Sequence, residues 1–175
     1  MIREAVFSED RRYRYRLYRE WEKRPGKPLL WVLLNPSTAD ETIDDPTIRR
    51  CIGFSTAWGY GSMWLGNIYA YRATDAAVMK RLSANEARGP HNYSHLISMA
   101  AISEKTVCAW GAHRAPDAET LYDISVGHTR PLYCLGKTRD GSPRHPLYLS
   151  ATTPLEPYEI ASRTDHRPDN RQART

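Results

Sequence analysis

A chain of 175 residues, 41% hydrophobic and 26% charged, is long enough to bury a real core and reads as one globular domain. No apolar run approaches a membrane span, and Met1-Ile2-Arg3-Glu4 leads into charge rather than a signal-peptide core, so the expected address is cytoplasmic with no membrane contact. A net charge of +5 suits a polyanionic partner without requiring one.

Residues 1 to 10 read as an opening strand with a turn at Ser8-Glu9-Asp10, and residues 11 to 19 as its antiparallel continuation. There Arg11, Arg12, Arg14, Arg16 and Arg19 interleave with Tyr13, Tyr15, Tyr18 and Trp21. As a strand, this pattern turns Tyr13, Tyr15 and Leu17 to the core and Arg12, Arg14 and Arg16 to water, which is the stronger reading. The alternative is an arginine and tyrosine surface that meets phosphates and stacks on bases. After a turn at Lys23 to Pro28, Leu29-Leu30-Trp31-Val32-Leu33-Leu34 is a strand buried on both faces. Asn35-Pro36 ends it, since proline has no N–H for the ladder. A polar loop therefore leaves the carboxyl end of a central strand, where open α/β sheets place their ligand crevice.

Asp45 then caps a helix with Pro46 at its first position, Ile48, Cys51, Ile52 and Ser55 on one face, and Trp58-Gly59 at its close. Ser62 to Tyr71 is a second buried strand with Asn67 embedded in it. Thr74-Asp75 opens a short helix through Leu82, a polar loop holds Gly89-Pro90, and Asn92 caps a helix striped by Tyr93, Leu96, Ile97, Ala100 and Ala101. Thr106 to Gly111 is a third strand, Pro116 starts a helix carrying Ala118, Leu121, Tyr122 and Ser125, and Pro131 to Gly136 is a fourth strand. Beyond Ala161 the aliphatic residues stop, so the domain runs 1–161 and 162–175 is a flexible tail. The alternation predicts an α/β fold: a three-layer α/β/α sandwich on a mainly parallel four-stranded sheet, plus the N-terminal antiparallel pair. Cys51, Cys108 and Cys134 read as buried reduced thiols.

The loops after parallel strands share one rim. They bring Asn35, Ser37, Thr38 and Asp40 from the first strand, Asn67, Tyr69 and Arg72 from the second, and Gly111 and His113 from the third. The fourth adds Lys137, Arg139, Arg144 and His145. The set has amides that donate and accept, imidazoles and cations, but no nucleophilic triad and neither common phosphate-binding glycine loop. Plainer roles stand beside these: Asn35 as a turn residue, Asn67 in a structural network, Asp45 as a helix cap, Asp44 as a solvated charge. His91, His95, His113 and His128 lack the paired spacing of a zinc site, and no metal or cofactor is expected.

Asn35-Pro36-Ser37 after the first core strand, Asn67 after the second, the strand Val107 to Gly111 and His145-Pro146 after the fourth resemble, in order and placement, the motifs of the uracil-DNA glycosylase superfamily. Residues 29 to 149 are also similar to a bacterial and phage family of unknown function, through Leu34 to Asp40, Asp45-Pro46-Thr47, Gly66-Asn67, Ala109-Trp110-Gly111 and Pro143 to Leu147. The glycosylase resemblance implies that Asn35 orients the attacking water, Asn67 bonds the base edge and His145 donates to the departing base. Asp40 is the third catalytic candidate, and Ser37, Tyr69 and Arg72 are further substrate-binding candidates. Lys137, Arg139, Arg144, Leu147 and Tyr148 would meet DNA, the apolar tip acting as a wedge or as a return to the core. The superfamily's final motif usually continues histidine-proline-serine, whereas Leu147 follows here. The expected function is therefore hydrolysis of the N-glycosidic bond of a flipped-out non-standard base by a monomeric, metal-independent enzyme, leaving an abasic site. Uracil and bulky 5-substituted pyrimidines of phage DNA are both candidate bases. The alternatives are a hydrolase or transferase acting on free nucleosides or nucleotides, and a non-catalytic nucleic-acid-binding module.

Overall fold

In the computed structural model the described residues are 1–36, 39–73, 76–112, 121, 123–124 and 131–160, with the backbone alone for Ala76. The strands are β1 (Ile2–Phe7), β2 (Arg14–Glu20), β3 (Leu29–Leu33), β4 (Ser62–Asn67), β5 (Thr106–Cys108), β6 (Leu132–Cys134) and β7 (Glu156–Tyr158). The described helices are α1 (Pro46–Ala57), α2 (Ala76–Arg81), α3 (Ala84–Arg88) and α4 (Asn92–Ile102), and Pro146–Tyr148 makes a 3-10 turn.

All five residues of β3 are buried, which requires a neighbour on each edge and cover on each face. Parallel β4 and β5 supply the neighbours. Leu29, Trp31 and Leu33 meet Ile48, Cys51 and Phe54 of α1 on one face, and Leu30 and Val32 meet Leu96, Met99 and Ala100 of α4 on the other. The whole sheet has seven strands in the order β1-β2-β4-β3-β5-β6-β7. Four of them, β4, β3, β5 and β6, are parallel, while β2 and β7 flank these four antiparallel to them and β1 pairs antiparallel with β2 at the edge. The expected four-stranded sheet is thus the middle of a larger mixed one. The N-terminal pair is not an appendage, because β2 is zipped directly to β4 from Leu17↔Leu65 to Glu20↔Ser62.

That pairing corrects the reading of the arginines. β2 has a strand on each side and cover on its faces, so Arg14 is 2% exposed and Arg19 0%, where water-facing side chains were expected at Arg12, Arg14 and Arg16. Arg12 is exposed, and Arg16 turns to α4, donating to His95 Nδ1 at 2.6 Å and Ser98 Oγ at 2.7 Å. Tyr15 and Leu17 are core residues as expected.

Three other local readings change. The polar stretch before Gly89 holds α3, started by a capping box in which Ser83 Oγ accepts from Glu86 N and Glu86 reaches back to Ser83 N. Asn92 lies inside α4 rather than capping it, and spends its amide on the carbonyls of Asn67 at 2.8 Å and Ile68 at 2.9 Å. In the same helix Tyr93 is exposed and Met99 takes a core place. Asp45 does cap α1, accepting from Ile48 N at 2.9 Å. Cys51, Cys108 and Cys134 are free and buried. Thr74 and Asp75, most of the helix expected from Pro116, and the 162–175 tail lie outside the described residues, although Leu121 and Ile124 are core. No helix among the described residues is long and apolar enough to cross a membrane.

Candidate functional site

The carboxyl ends of β3 and β4 run side by side past the ladder: Ile68 N donates to Leu33 O and Tyr69 N to Leu34 O, each at 2.9 Å. This carries Asn35 and Tyr69 to one wall of a cavity of about 980 Å³, near the upper end of the usual range for ligand pockets. The amino end of α1 brings Asp45 to the same cavity, β2 brings Arg14, and the 3-10 turn brings His145. Trp110, 2% exposed, closes the wall beyond β5.

Asn35 is oriented by its own neighbourhood. Its Nδ2 donates to Pro36 O at 3.2 Å and Ala73 O at 3.1 Å, so both amide hydrogens are engaged and Oδ1 remains as an acceptor. His145 is oriented by the turn it caps: Leu147 N donates to His145 Nδ1 at 3.3 Å, which places the proton of the neutral ring on Nε2. Burial keeps its pKa below the usual imidazole value, and the Asp45 carboxylate pulls the other way. Two glycines let the chain reach this point. Gly111 (φ +81°) donates to Pro143 O and would place a Cβ 3.5 Å from His145 Cβ, and Gly136 (φ +90°) accepts from Arg144 N. The 3-10 turn is tied to α1 by Arg50, which donates to Pro146 O and Leu149 O.

Arg14 and Asn67 form the layer behind. Arg14 donates to Ala39 O at 2.7 Å and Asn67 Oδ1 at 3.1 Å. Burial lowers its pKa to about 10, with Asp45 opposing the fall and Arg72 and Arg19 adding to it. Asn67, 1% exposed, is not on the cavity wall and reaches it only through Arg14.

The other expected site residues divide. Asp40 is absent from the wall; its Oδ1 accepts from Thr42 N, Thr42 Oγ1 and Ile43 N in a tight turn, bonds that hold its pKa down to about 2. Arg72 also sits elsewhere, 4.9 Å over the Phe7 ring with a bond to Arg11 O. Ser37 and His113 lie outside the described residues. Leu147 and Tyr148 edge the cavity, Tyr148 with 83% of its surface exposed. Leu149 behind them returns to the core. Lys137, Arg139 and Arg144 are exposed on and beside the hairpin closed by the Lys137↔Pro143 bridge. Two site residues went unseen in the sequence. Asp45 was explained by its cap alone, and Arg14 was assigned to water because β2 was read as a strand with an open face. No group of three or more His, Cys, Asp or Glu among the described residues is placed to hold a metal ion.

No curated protein matches the chain, and no solved structure matches it. The family described as Protein of unknown function (DUF1643) matches residues 14–147, from Arg14 on β2 to Leu147 at the cavity edge. The match covers most of the sequence and spans Asn35, Asp45, Asn67 and His145, so the chain belongs to the DUF1643 family.

Proposed function

We propose that the protein hydrolyses the N-glycosidic bond of a non-standard base extruded from DNA, leaving an abasic site. The observation that carries this reading is the pairing of an acceptor with a donor on one cavity: Asn35 Oδ1 beyond the end of β3 and His145 Nε2–H at the start of the 3-10 turn. In the proposed step the C1′–N bond breaks with its electron pair going to the base, and the water oxygen bonds C1′ while its proton passes to solvent. Asn35 Oδ1 accepts from that water and holds it in line. An amide is too weak a base to take the proton, but an oxocarbenium-like sugar needs a placed water more than a strong base. His145 Nε2–H donates to the oxygen on which the leaving base gathers charge, a preorganised donor typically worth about 2.7–4 kcal/mol. Asp45 replaces Asp40 as the carboxylate whose field favours the cationic sugar. The order Asn35, Asn67, His145 along the strand ends is also the one the glycosylase resemblance assigns. Exposed Lys137, Arg139 and Arg144 supply phosphate contacts, with Leu147 and Tyr148 at the cavity edge as the wedge.

The test is base release from oligonucleotides carrying uracil, hypoxanthine or bulky 5-substituted cytosines, read as alkali-labile breaks. Release by the wild type and its loss in both Asn35→Ala and His145→Ala, with unchanged melting temperatures, is the expected result. Full rates in both variants sink the assignment, and release from free nucleosides but not from DNA would transfer it to a nucleoside hydrolase.

A further inference from the structure

β2 buries two arginines five residues apart, and they are compensated differently. Arg19 meets a carboxylate, Asp44 Oδ1 at 2.6 Å, and main-chain carbonyls besides. Arg14 is 2% exposed, yet its partners are one carbonyl and one amide oxygen, both neutral. Among the described residues its Nε has no partner, and neither has Nδ2 of Asn67, the residue it is bonded to. A buried cation without a bonded anion, beside two unmet N–H donors, is disfavoured unless something else completes it. Arg14 forms part of the cavity wall, so the cavity is where the missing group enters.

We propose that this cavity selects its ligand through an anionic oxygen group, phosphate or carboxylate, seated toward Arg14 and Asn67. The guanidinium's paired N–H donors suit the paired oxygens of such a group, with Asn67 behind them holding Arg14 in place. Asp45 lines the same cavity and its charge acts on Arg14, so it offsets part of the guanidinium's charge and leaves the N–H donors themselves to an incoming group. The inference rests on the glycosidase reading in taking the occupant to be a nucleotide. The anion then has two sources: the 5′-phosphate of the extruded nucleotide, or an acidic substituent on its base.

Isothermal titration with 2′-deoxycytidine, its 5′-monophosphate and 5-carboxy-2′-deoxycytidine separates the sources. The monophosphate or the carboxylated nucleoside is expected to bind about tenfold or more tightly than the plain nucleoside, the value of one charge-assisted contact. Arg14→Gln should erase that preference and Arg14→Lys should keep part of it; if the Gln variant is too unstable to titrate, the wild-type panel decides. Equal affinity for all three, no binding of any, or a preference unchanged in Arg14→Gln overturns the proposal and assigns the unmet donors to buried water. Anion-dependent binding without base release from DNA keeps this inference and removes the glycosidase; base release without anion preference does the reverse.

Discussion

Arg19 Nε lies 2.6 Å from Asp44 Oδ1, joining β2 to the residue that precedes the α1 cap. The same guanidinium donates to the carbonyls of Asp40 and Ile43, so one buried side chain fixes the loop between β3 and α1. Asp44→Ala leaves that cation buried without its anion. The expected loss is about 3–5 kcal/mol of unfolding free energy, measured by denaturant titration. A loss near that of an exposed pair, under about 1 kcal/mol, would show that the carbonyls alone suffice.

Asp45 has two roles that substitution separates. Asp45→Asn keeps an acceptor for Ile48 N and should melt close to the wild type, whereas Asp45→Ala loses the cap and about 0.5–2 kcal/mol. Under the proposed mechanism both lower base release on the order of 10²-fold, because both remove the charge facing the sugar. Asparagine at full rate would leave Asp45 a cap only.

His145 and His95 both have pKa values lowered from 6.5, chiefly by burial, with Arg16 and His91 adding at His95. Each Nδ1 already accepts a hydrogen bond, from Leu147 N and from Arg16 Nε. Protonation would put a donor against a donor. The unfolded chain binds these protons more readily than the folded one, so the stability is complete above pH 6.5 and falls as pH drops from there through the folded values. Melting temperature should fall from pH 7.5 to pH 5, about where unperturbed histidines titrate. The slope should be smaller in His95→Gln, and a flat profile would contradict the assignment. Asp40, held down to about 2, acts lower: its contribution is present above 3.8 and lost as pH falls toward 2.

Gly66 is the contact point of β4 with α4. A Cβ there would sit 2.5 Å from Leu96 Cδ2 and 2.8 Å from Met99 Cε. Gly66→Ala should cost about 1–3 kcal/mol by overpacking. Combining it with Leu96→Ala should cost less than the sum of the two, since the second change makes the room the first needs. Additive losses in a double-mutant cycle would place the strain elsewhere.

Arg144 tests the nucleic-acid surface. If it contacts a phosphate, Arg144→Ala weakens DNA binding uniformly across sequences and reduces the slope of log K against log salt by about 1. An unchanged slope in a filter-binding series removes it from the interface.

The central strands, the α1 cap and the buried cysteines were legible because each rests on local chemistry: an unbroken apolar run, an aspartate before proline, thiols in apolar segments. The capping box at Ser83 and Glu86 rests on an equally local pattern, a serine three residues before a glutamate. β7 was not legible, since its residues Glu156, Pro157 and Tyr158 become a strand only by pairing with β6. At the site, Asn35 and His145 were placed on the cavity by their positions at strand ends, but Asp40 was not.

What the sequence determined by itself is the parallel α/β core and the rim on which Asn35 and His145 meet, because hydrophobic period and turn chemistry act over a few residues. What only the tertiary structure decided is which charges lie inside. Arg14 reads as part of a solvated face until β2 gains β1 on one side and β4 on the other, and Asp45 reads as a cap until His145, a hundred residues later in the chain, folds back toward its field. The burial of a charge depends on what covers it, and no local pattern carries that information.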